Sequence, residues 1–370
     1  MGRKTKRFGM LLVLLGAAGV AGAMALSHES SCPTPAASPN ASDTTGALVY
    51  TYRCYGGPEV LHLTSIAAPT PADTEVLVRV RAASVNPLDW HFMRGKPYLM
   101  RVVSGMGAPT EERIGADFAG TVQAVGARVT QFRVGDRVFG TRTGAFGTHV
   151  IVRENGAMAH MPDSASFEQA AAVGVAATTA LQAVRDQARV RKGQRVLING
   201  ASGGVGTFAV QIAKIYGAHV TGVASTRNVE MVQSLGADRV IDYTKDDFTK
   251  GAERYDAIVD MVGNHPLRAL DAVLAPGGRM IIVGGPNDNA YLGPVTRVVT
   301  AMLAAPVLTG TFISFTANEN KADVAMLREW MQRGALRSVI DREYAFAELP
   351  AAVAYQEAGR SRGKVIVKMP

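Results

Sequence analysis

Apolar and polar positions alternate with a period of two in a series of short runs, 47–51, 76–82, 118–125, 137–139 and 149–152, punctuated by Gly and Pro. Such runs are half-buried strands, and their succession predicts a partly closed antiparallel barrel over the first part of the chain. From about 166 the period changes. Residues 167–188 are Ala-rich and helical in pattern, and thereafter strands at 195–199, 219–224, 239–241, 257–260 and 279–283 alternate with helices that start near Gly206, Asn228 and Pro266. That alternation predicts a parallel, doubly wound sheet, a Rossmann domain. Beyond Leu308 come a short strand, a helix at 322–332 and a last strand at 364–368, whose expected place is back on the first unit.

Ahead of this body lies a different pattern. Residues 9–26 are 18 uncharged, mostly apolar residues preceded by Arg3, Lys4, Lys6 and Arg7. The order of charge then apolar run is that of a signal or membrane anchor, and a helix of this length spans roughly 27 Å at about 1.5 Å per residue. Segment 1–26 is expected to anchor the protein in a membrane or to be cleaved on export, with the body across the membrane because 27–45 carries no Lys or Arg. A start nearer Ala47 would leave the protein cytoplasmic. Residues 27–46, rich in Ser, Thr, Pro and Ala, are expected to be a disordered tether. The two cysteines, Cys32 and Cys54, imply no disulfide framework.

Length and composition agree with two folded domains: 370 residues at 47% hydrophobic suffice for two cores, and 19% charged residues exclude extended disorder. The net charge of +8 invites a nucleic-acid reading until it is located. Four of those charges are the basic residues at 3–7. The cluster Arg189, Arg191, Lys192 and Arg195 has no neighbouring aromatics and reads as a solvated loop, so no nucleic-acid partner is expected.

After the strand at 195–199 comes Gly200-Ala-Ser202-Gly203-Gly204-Val205-Gly206, leading into a helix. A turn without Cβ atoms lets a pyrophosphate approach free amides at the positive end of a helix: Gly200 would make the turn, Gly203 admit the phosphates, Gly206 let helix and strand pack. Strand before, helix after and a second strand about 20 residues on make this a dinucleotide site. The end of that second strand selects the nucleotide. An Asp or Glu there would hold the ribose 2′-hydroxyl of NAD, but the stretch reads Val223-Ala-Ser225-Thr-Arg227. A hydroxyl and a guanidinium suit a 2′-phosphate, so the expected cofactor is NADP, used as NADPH.

Taken in order, Asn86-Pro-Leu-Asp89, Gly115-Ala-Asp-Phe-Ala-Gly-Thr-Val122, Gly135-Asp-Arg-Val138, the Ala-rich run 170–181 and the glycine turn 200–206 resemble the medium-chain dehydrogenase/reductases. Within them the chain looks like the zinc-free quinone oxidoreductase (zeta-crystallin-like) branch, close to the reticulon-interacting oxidoreductases. The resemblance covers about 47–369. It implies an α/β protein with a GroES-like β-barrel catalytic domain, 47–165 completed by 313–370, and an inserted Rossmann domain, 166–312. It implies a zinc-independent oxidoreductase that transfers hydride from NADPH to a quinone or an α,β-unsaturated carbonyl, and a homodimer.

The zinc dehydrogenases of the superfamily carry Cys near Asn86, Gly-His-Glu at Gly115-Ala-Asp117 and a four-Cys lobe, none of which this chain has. Its scattered His residues and two Cys show no zinc-ligand spacing, so no metal is expected. By resemblance, Asn86 and Asp89 line the cleft and Tyr98 donates the proton. Thr178 meets the nicotinamide carboxamide; Ser225, Arg227 and Tyr243 hold the 2′-phosphate; Gly263, Asn264, Val283, Gly284 and Lys364 touch the cofactor elsewhere. Tyr291, Phe312 and Phe315 are candidate walls for the substrate. The alternative is a membrane-tethered NADPH-binding scaffold without catalysis.

Overall fold

The computed structural model describes residues 22, 24–33, 46–286 and 289–370. Two main sheets organise it. The first contains β3 (Glu75–Val85), β4 (Asp117–Val125), β5 (Arg137–Thr141), β6 (His149–Arg153), β7 (Met158–His160), β14 (Ile340–Ala345) and β15 (Lys364–Lys368). Its order is β14-β15-β3-β4-β5-β7, with β6 also on β3. Val76, Val78 and Val80, one face of β3, bury against Phe118, Val122, Val138 and Met158, as period-two alternation requires. The last strand runs antiparallel to β3, Val365 opposite Val85 and Lys368 opposite Ala82. A separate hairpin of β1 (Ala47–Thr51) and β2 (His62–Ile66) flanks this sheet.

The second sheet is wholly parallel, in the order β10-β9-β8-β11-β12-β13. Its strands are β8 (Arg195–Asn199), β9 (His219–Ala224), β10 (Arg239–Asp242), β11 (Tyr255–Asp260), β12 (Leu274–Ile282) and β13 (Thr311–Ser314). Val196 and Ile198 of β8 pack with Phe208 and Ile212 of the following helix on one face, while Leu197 packs with Ile258 and Met280 on the other. Strand order reverses between β8 and β11, and a crevice opens beyond the carboxyl ends of strands at such a point. The barrel-plus-Rossmann α/β fold expected from the two periods is present.

Three expectations are corrected. The run 167–188 is not one helix: Phe167–Ala171 and α2 (Gly174–Gln182) are separate, and a π turn follows at Ala183–Gln187. Here α1 denotes Pro87–Arg94 and α3 denotes Gly204–Ile215. The break arises because the Val175 amide donates to Asp117 Oδ1 at 2.7 Å, so a carboxylate from another strand starts α2 afresh. The expected anchor or export segment over 1–26 is corrected as well: no helix among the described residues is long and apolar enough to cross a membrane. Residues 1–21 and 23 lie outside the described residues. Lastly, 27–33 is not a free tether. Glu29 bridges to Gly107, and Cys32 forms a disulfide with Cys54, a pairing for which the spacing offered no signal. The remainder of that stretch, 34–45, lies outside the described residues.

Candidate active site

The site is built on β3, α1, β4, α2 and β15. Asn86 ends β3 in extended backbone and caps α1, whose first turn brings Asp89 back so that its Oδ2 accepts from the Asn86 amide at 2.7 Å. The Asn86 side chain faces the other way. Its Nδ2 donates to Asp117 Oδ2 at 2.9 Å, and its Oδ1 accepts from Lys364 Nζ, which also lies 3.3 Å from Asp117 Oδ2. Ser84 Oγ donates to the same carboxylate oxygen at 2.7 Å. Lys364 and Asp117 are 3% and 0% exposed, so a fully desolvated ion pair stands between the barrel and the Rossmann turn. Gly174 is required beside it, because a Cβ there would come within 2.1 Å of Asp117 Oδ1.

Asp89 faces a cleft of about 300 Å³ walled by Tyr52, Leu88, Phe92, Val103 and Ile114, with Thr110, Glu111 and Arg113 at its polar side. Burial is the largest influence on the Asp89 carboxyl and pushes it up to about 7; the Asn86 amide opposes that, the Asp117 charge adds to it, and Lys364 opposes it again. The cleft therefore holds an acid that titrates near neutrality. Burial likewise pushes the Tyr52 phenol up.

The glycine turn lies directly against this network. Lys364 Cδ is 3.2 Å from where a Gly204 Cβ would sit, Gly363 donates its amide to Ser202 O at 2.9 Å, and Gly203 bridges to Gly363. Gly200 has φ +85°, and a Cβ on Gly206 would meet Gly200 O at 2.1 Å. Both glycines answer to the chain's own packing. Gly203 does not: a Cβ there would meet nothing closer than Gly200 O at 3.5 Å, so its smallness leaves room for an outside group. Val205 follows in the first turn of α3. Thr178 Oγ1, on α2, and Asn228 Oδ1 are buried and have no hydrogen-bond partner among the described residues, and such atoms are rarely left orphaned without a ligand or water. The residues thus fit a dinucleotide lying along the turn.

Beyond β9, Asn228 Nδ2 donates to Ser202 Oγ and Ser225 Oγ at 3.1 and 3.2 Å, which ties the strand end to the glycine turn. Arg227 is exposed, with Nη2 donating to Arg360 O at 3.0 Å, and Tyr243 is exposed at the end of β10. Asp242, which sequence reasoning passed over, accepts from the Thr226 and Thr244 hydroxyls and is held down at about 2 mainly by the Thr226 bond. Past β11, the Gly263 amide donates to Asp260 Oδ1, Asn264 Oδ1 accepts from Asn199 Nδ2 at 3.0 Å, and the Val283 and Gly284 amides donate to Asp260 O. Asp260 is buried and paired with Arg297 at 2.9 Å. Neither Asp260 nor Arg297 was singled out from the sequence, since only their contact across 37 residues marks them.

Tyr98 does not line the cleft beside Asp89. Its ring packs on the Arg101 guanidinium and edge-on to Tyr291, and its amide donates to Ala290 O at 2.8 Å, so it ties the barrel to the loop after β12. Phe312 and Phe315 pack against the two Rossmann cores and do not line the cleft beside Asp89.

Comparisons with known proteins agree with this geometry. Residues 72–163 match the alcohol dehydrogenase GroES-like domain family and 235–367 the zinc-binding dehydrogenase family. Zinc does not fit the residues present: among the described residues no group of three or more His, Cys, Asp or Glu is placed to hold a metal ion. The chain is 32% identical over 312 residues to a human quinone oxidoreductase, covering 80% of this chain and 90% of that one. It is 35% identical over 315 residues to a trans-enoyl reductase of Aspergillus terreus, covering 80% and 86%. The solved quinone oxidoreductase of Coxiella burnetii superposes with a TM-score of 0.76 at 27% identity, over 88% of this chain and 99% of that one. With its barrel, its parallel sheet and its glycine turn in these places, the chain belongs to the medium-chain dehydrogenase/reductases, among the quinone oxidoreductase-like oxidoreductases.

Proposed function

We propose that this oxidoreductase uses NADPH to reduce a quinone or an α,β-unsaturated carbonyl without zinc. The observation that carries the reading is the contiguity of glycine turn, Lys364, Asn86, Asp89 and an apolar-walled cleft. When bound, the cofactor supplies a hydride. Everything else falls to the chain. Amides of Gly204 and Val205 at the start of α3 would receive the pyrophosphate, with Gly203, whose own amide is turned to Gly200 O, leaving room for it and Ser202 and Lys364 alongside. Thr178 Oγ1 offers its unused hydroxyl to the nicotinamide amide, and Gly263, Asn264, Val283 and Gly284 border the nicotinamide half. Ser225, Arg227 and Tyr243 receive the 2′-phosphate.

Hydride addition to a conjugated acceptor spreads charge over the substrate, so no Lewis acid is needed and only a proton source is required. In this reading Asp89 is that source, since it faces the cleft and titrates at about 7. Asn86 positions Asp89 through its backbone amide and orients Lys364 through its side chain. Tyr98 ties the barrel to the loop after β12 through its amide bond to Ala290 O, which departs from the donor role that resemblance suggested.

The test is nucleotide titration by fluorescence with the wild type and Arg227→Ala, alongside turnover of a panel of quinones and enones. NADPH should bind at least tenfold more tightly than NADH, and the variant should lose that preference, about 1.4 kcal/mol. Equal binding of the two nucleotides by the wild type would overturn the NADPH assignment, and absence of turnover the acceptor class.

A second copy is the expected partner. Among the described residues β13 pairs only with β12, and next to it in the chain Met302, Leu303 and Val307 are 72%, 78% and 63% exposed, the kind of apolar patch and free strand edge that a homodimer covers. Sedimentation should give twice the 39.0 kDa chain mass, and Met302→Glu with Leu303→Glu should return it to the single chain.

A further inference from the structure

Arg101 is the largest fully buried side chain among the described residues. Its guanidinium is stacked between the rings of Tyr55 and Tyr98, at 4.4 and 4.6 Å. Nε donates to Gly95 O at 2.9 Å; Nη1 donates to Leu26 O and His28 O at 3.2 and 2.9 Å; Nη2 donates to Glu29 Oε1 at 2.7 Å and to Arg94 O at 3.4 Å. Three of these five acceptors come from the N-terminal segment, one of them the only carboxylate among the described residues that pairs with Arg101. A desolvated guanidinium is tolerated only when its charge and its donors are met. Without 26–29 this one would not stay where it is.

What Arg101 holds is one wall of the cleft. It begins the short helix Arg101–Ser104, whose Val103 and Ser104 line the cleft together with Thr110. The N-terminal segment grips the same wall a second time, as the Ser30 amide donates to Gly107 O at 3.0 Å. Its far end is bonded through Cys32 to Cys54, between Tyr52, which faces the cleft, and Tyr55, whose hydroxyl meets Ser104 Oγ and Gly105 O. Gly95 is part of the same assembly, since a Cβ there would meet Tyr55 Cδ1 at 2.6 Å and Arg101 Nε at 2.7 Å.

We propose that residues 26–33 form a strap, pinned by the Cys32–Cys54 bond, that acts through Arg101 to set the width of the acceptor cleft, with Arg101 a positioning residue for acceptor binding. The proposal rests on reading the cleft beside Asp89 as the acceptor site. Glu29 and Cys32 are themselves exposed, so replacing them releases the strap from Arg101 and from the buried Cys54 without changing a side chain of either core.

The experiment compares the full-length wild type with Glu29→Ala/Cys32→Ser, both without thiol reductant. KM for the acceptor should rise at least fivefold, while kcat and NADPH affinity stay within twofold, and amide hydrogen exchange should quicken at 98–110 and nowhere in the Rossmann sheet. Unchanged KM and unchanged exchange at 98–110 would overturn the strap. So would equal acceleration of exchange throughout the chain, which signals global loosening. If the wild type turns over no acceptor, the functional reading fails by itself, and local exchange at 98–110 still decides whether the strap holds the wall.

Discussion

Replacing Asp89 by Asn is expected to lower acceptor reduction at pH 6 by roughly 100-fold and to flatten its pH profile, the loss typical of removing a positioned general acid. In the wild type the rate should fall as pH rises through about 7, because the carboxyl raised to that value gives up the proton it must deliver. Stability follows the same sign. A carboxyl whose folded pKa lies above its unfolded value near 3.8 stabilises the fold fully below that value, and the contribution is lost as pH rises through about 7. A shift of this size corresponds to something on the order of 4 kcal/mol. Asp89→Asn should therefore be slightly less stable than the wild type at pH 5, having lost an acceptor for a backbone amide, and more stable at pH 9. Denaturant midpoints at the two pH values, with stopped-flow decay of NADPH fluorescence, check both halves. A rate at pH 6 equal to the wild type would remove Asp89 as the proton source.

The second large effect is expected at Lys364. Lys364→Met keeps the length of the side chain and its packing against Gly204, but strips the counter-charge from Asp117, which is 0% exposed. Deleting one partner of a buried pair costs about 3–5 kcal/mol, because the other charge stays behind unpaired. The denaturant midpoint should drop accordingly, and NADPH affinity should weaken as a cation leaves the glycine turn. Adding Asp117→Asn should restore much of the stability and little of the affinity. That split separates the fold role of the pair from its ligand role. If the single variant is as stable as the wild type, the pair is not holding β15 to the site.

These expectations depend on contacts of very unequal visibility in the sequence. The glycine turn could be read because all its parts are consecutive and its neighbours have different periods, a strand before and a helix after. The Asn86–Asp89 pair was visible for a similar reason, as the two lie within one helical turn. Asp117 was noticed only as the place where a zinc site would differ. Its actual role, starting α2 through the Val175 amide and facing Lys364, joins segments 58 and 247 residues away, and no local pattern records that. Gly174 carried a faint sign, a glycine inside an Ala-rich helical run. Tyr98 has the donor's place only by resemblance; in the structure it follows Gly95, whose φ of +56° turns the chain, and its ring lies on Arg101. Nor could 26–33 have been read correctly, since its composition is that of a tether and its partners, Gly107, Arg101 and Cys54, lie on the barrel.

The placement of β15 sets the order in which this protein can be completed during synthesis. Lys364 bonds to Asn86 across 278 residues, and β3 has no β15 beside it until that whole stretch is made. At about 5–20 residues per second, tens of seconds pass on the ribosome between the emergence of β3 and that of its partner strand. During that interval the parallel sheet can fold around its own helices, while the barrel waits with an open edge and an uncompensated Asp117. A chain cut short before β15 would keep its nucleotide turn yet lack the strand that closes the barrel and the cation that joins the two halves. The seam between barrel and parallel sheet is thus completed only after both of the parts it joins have been made.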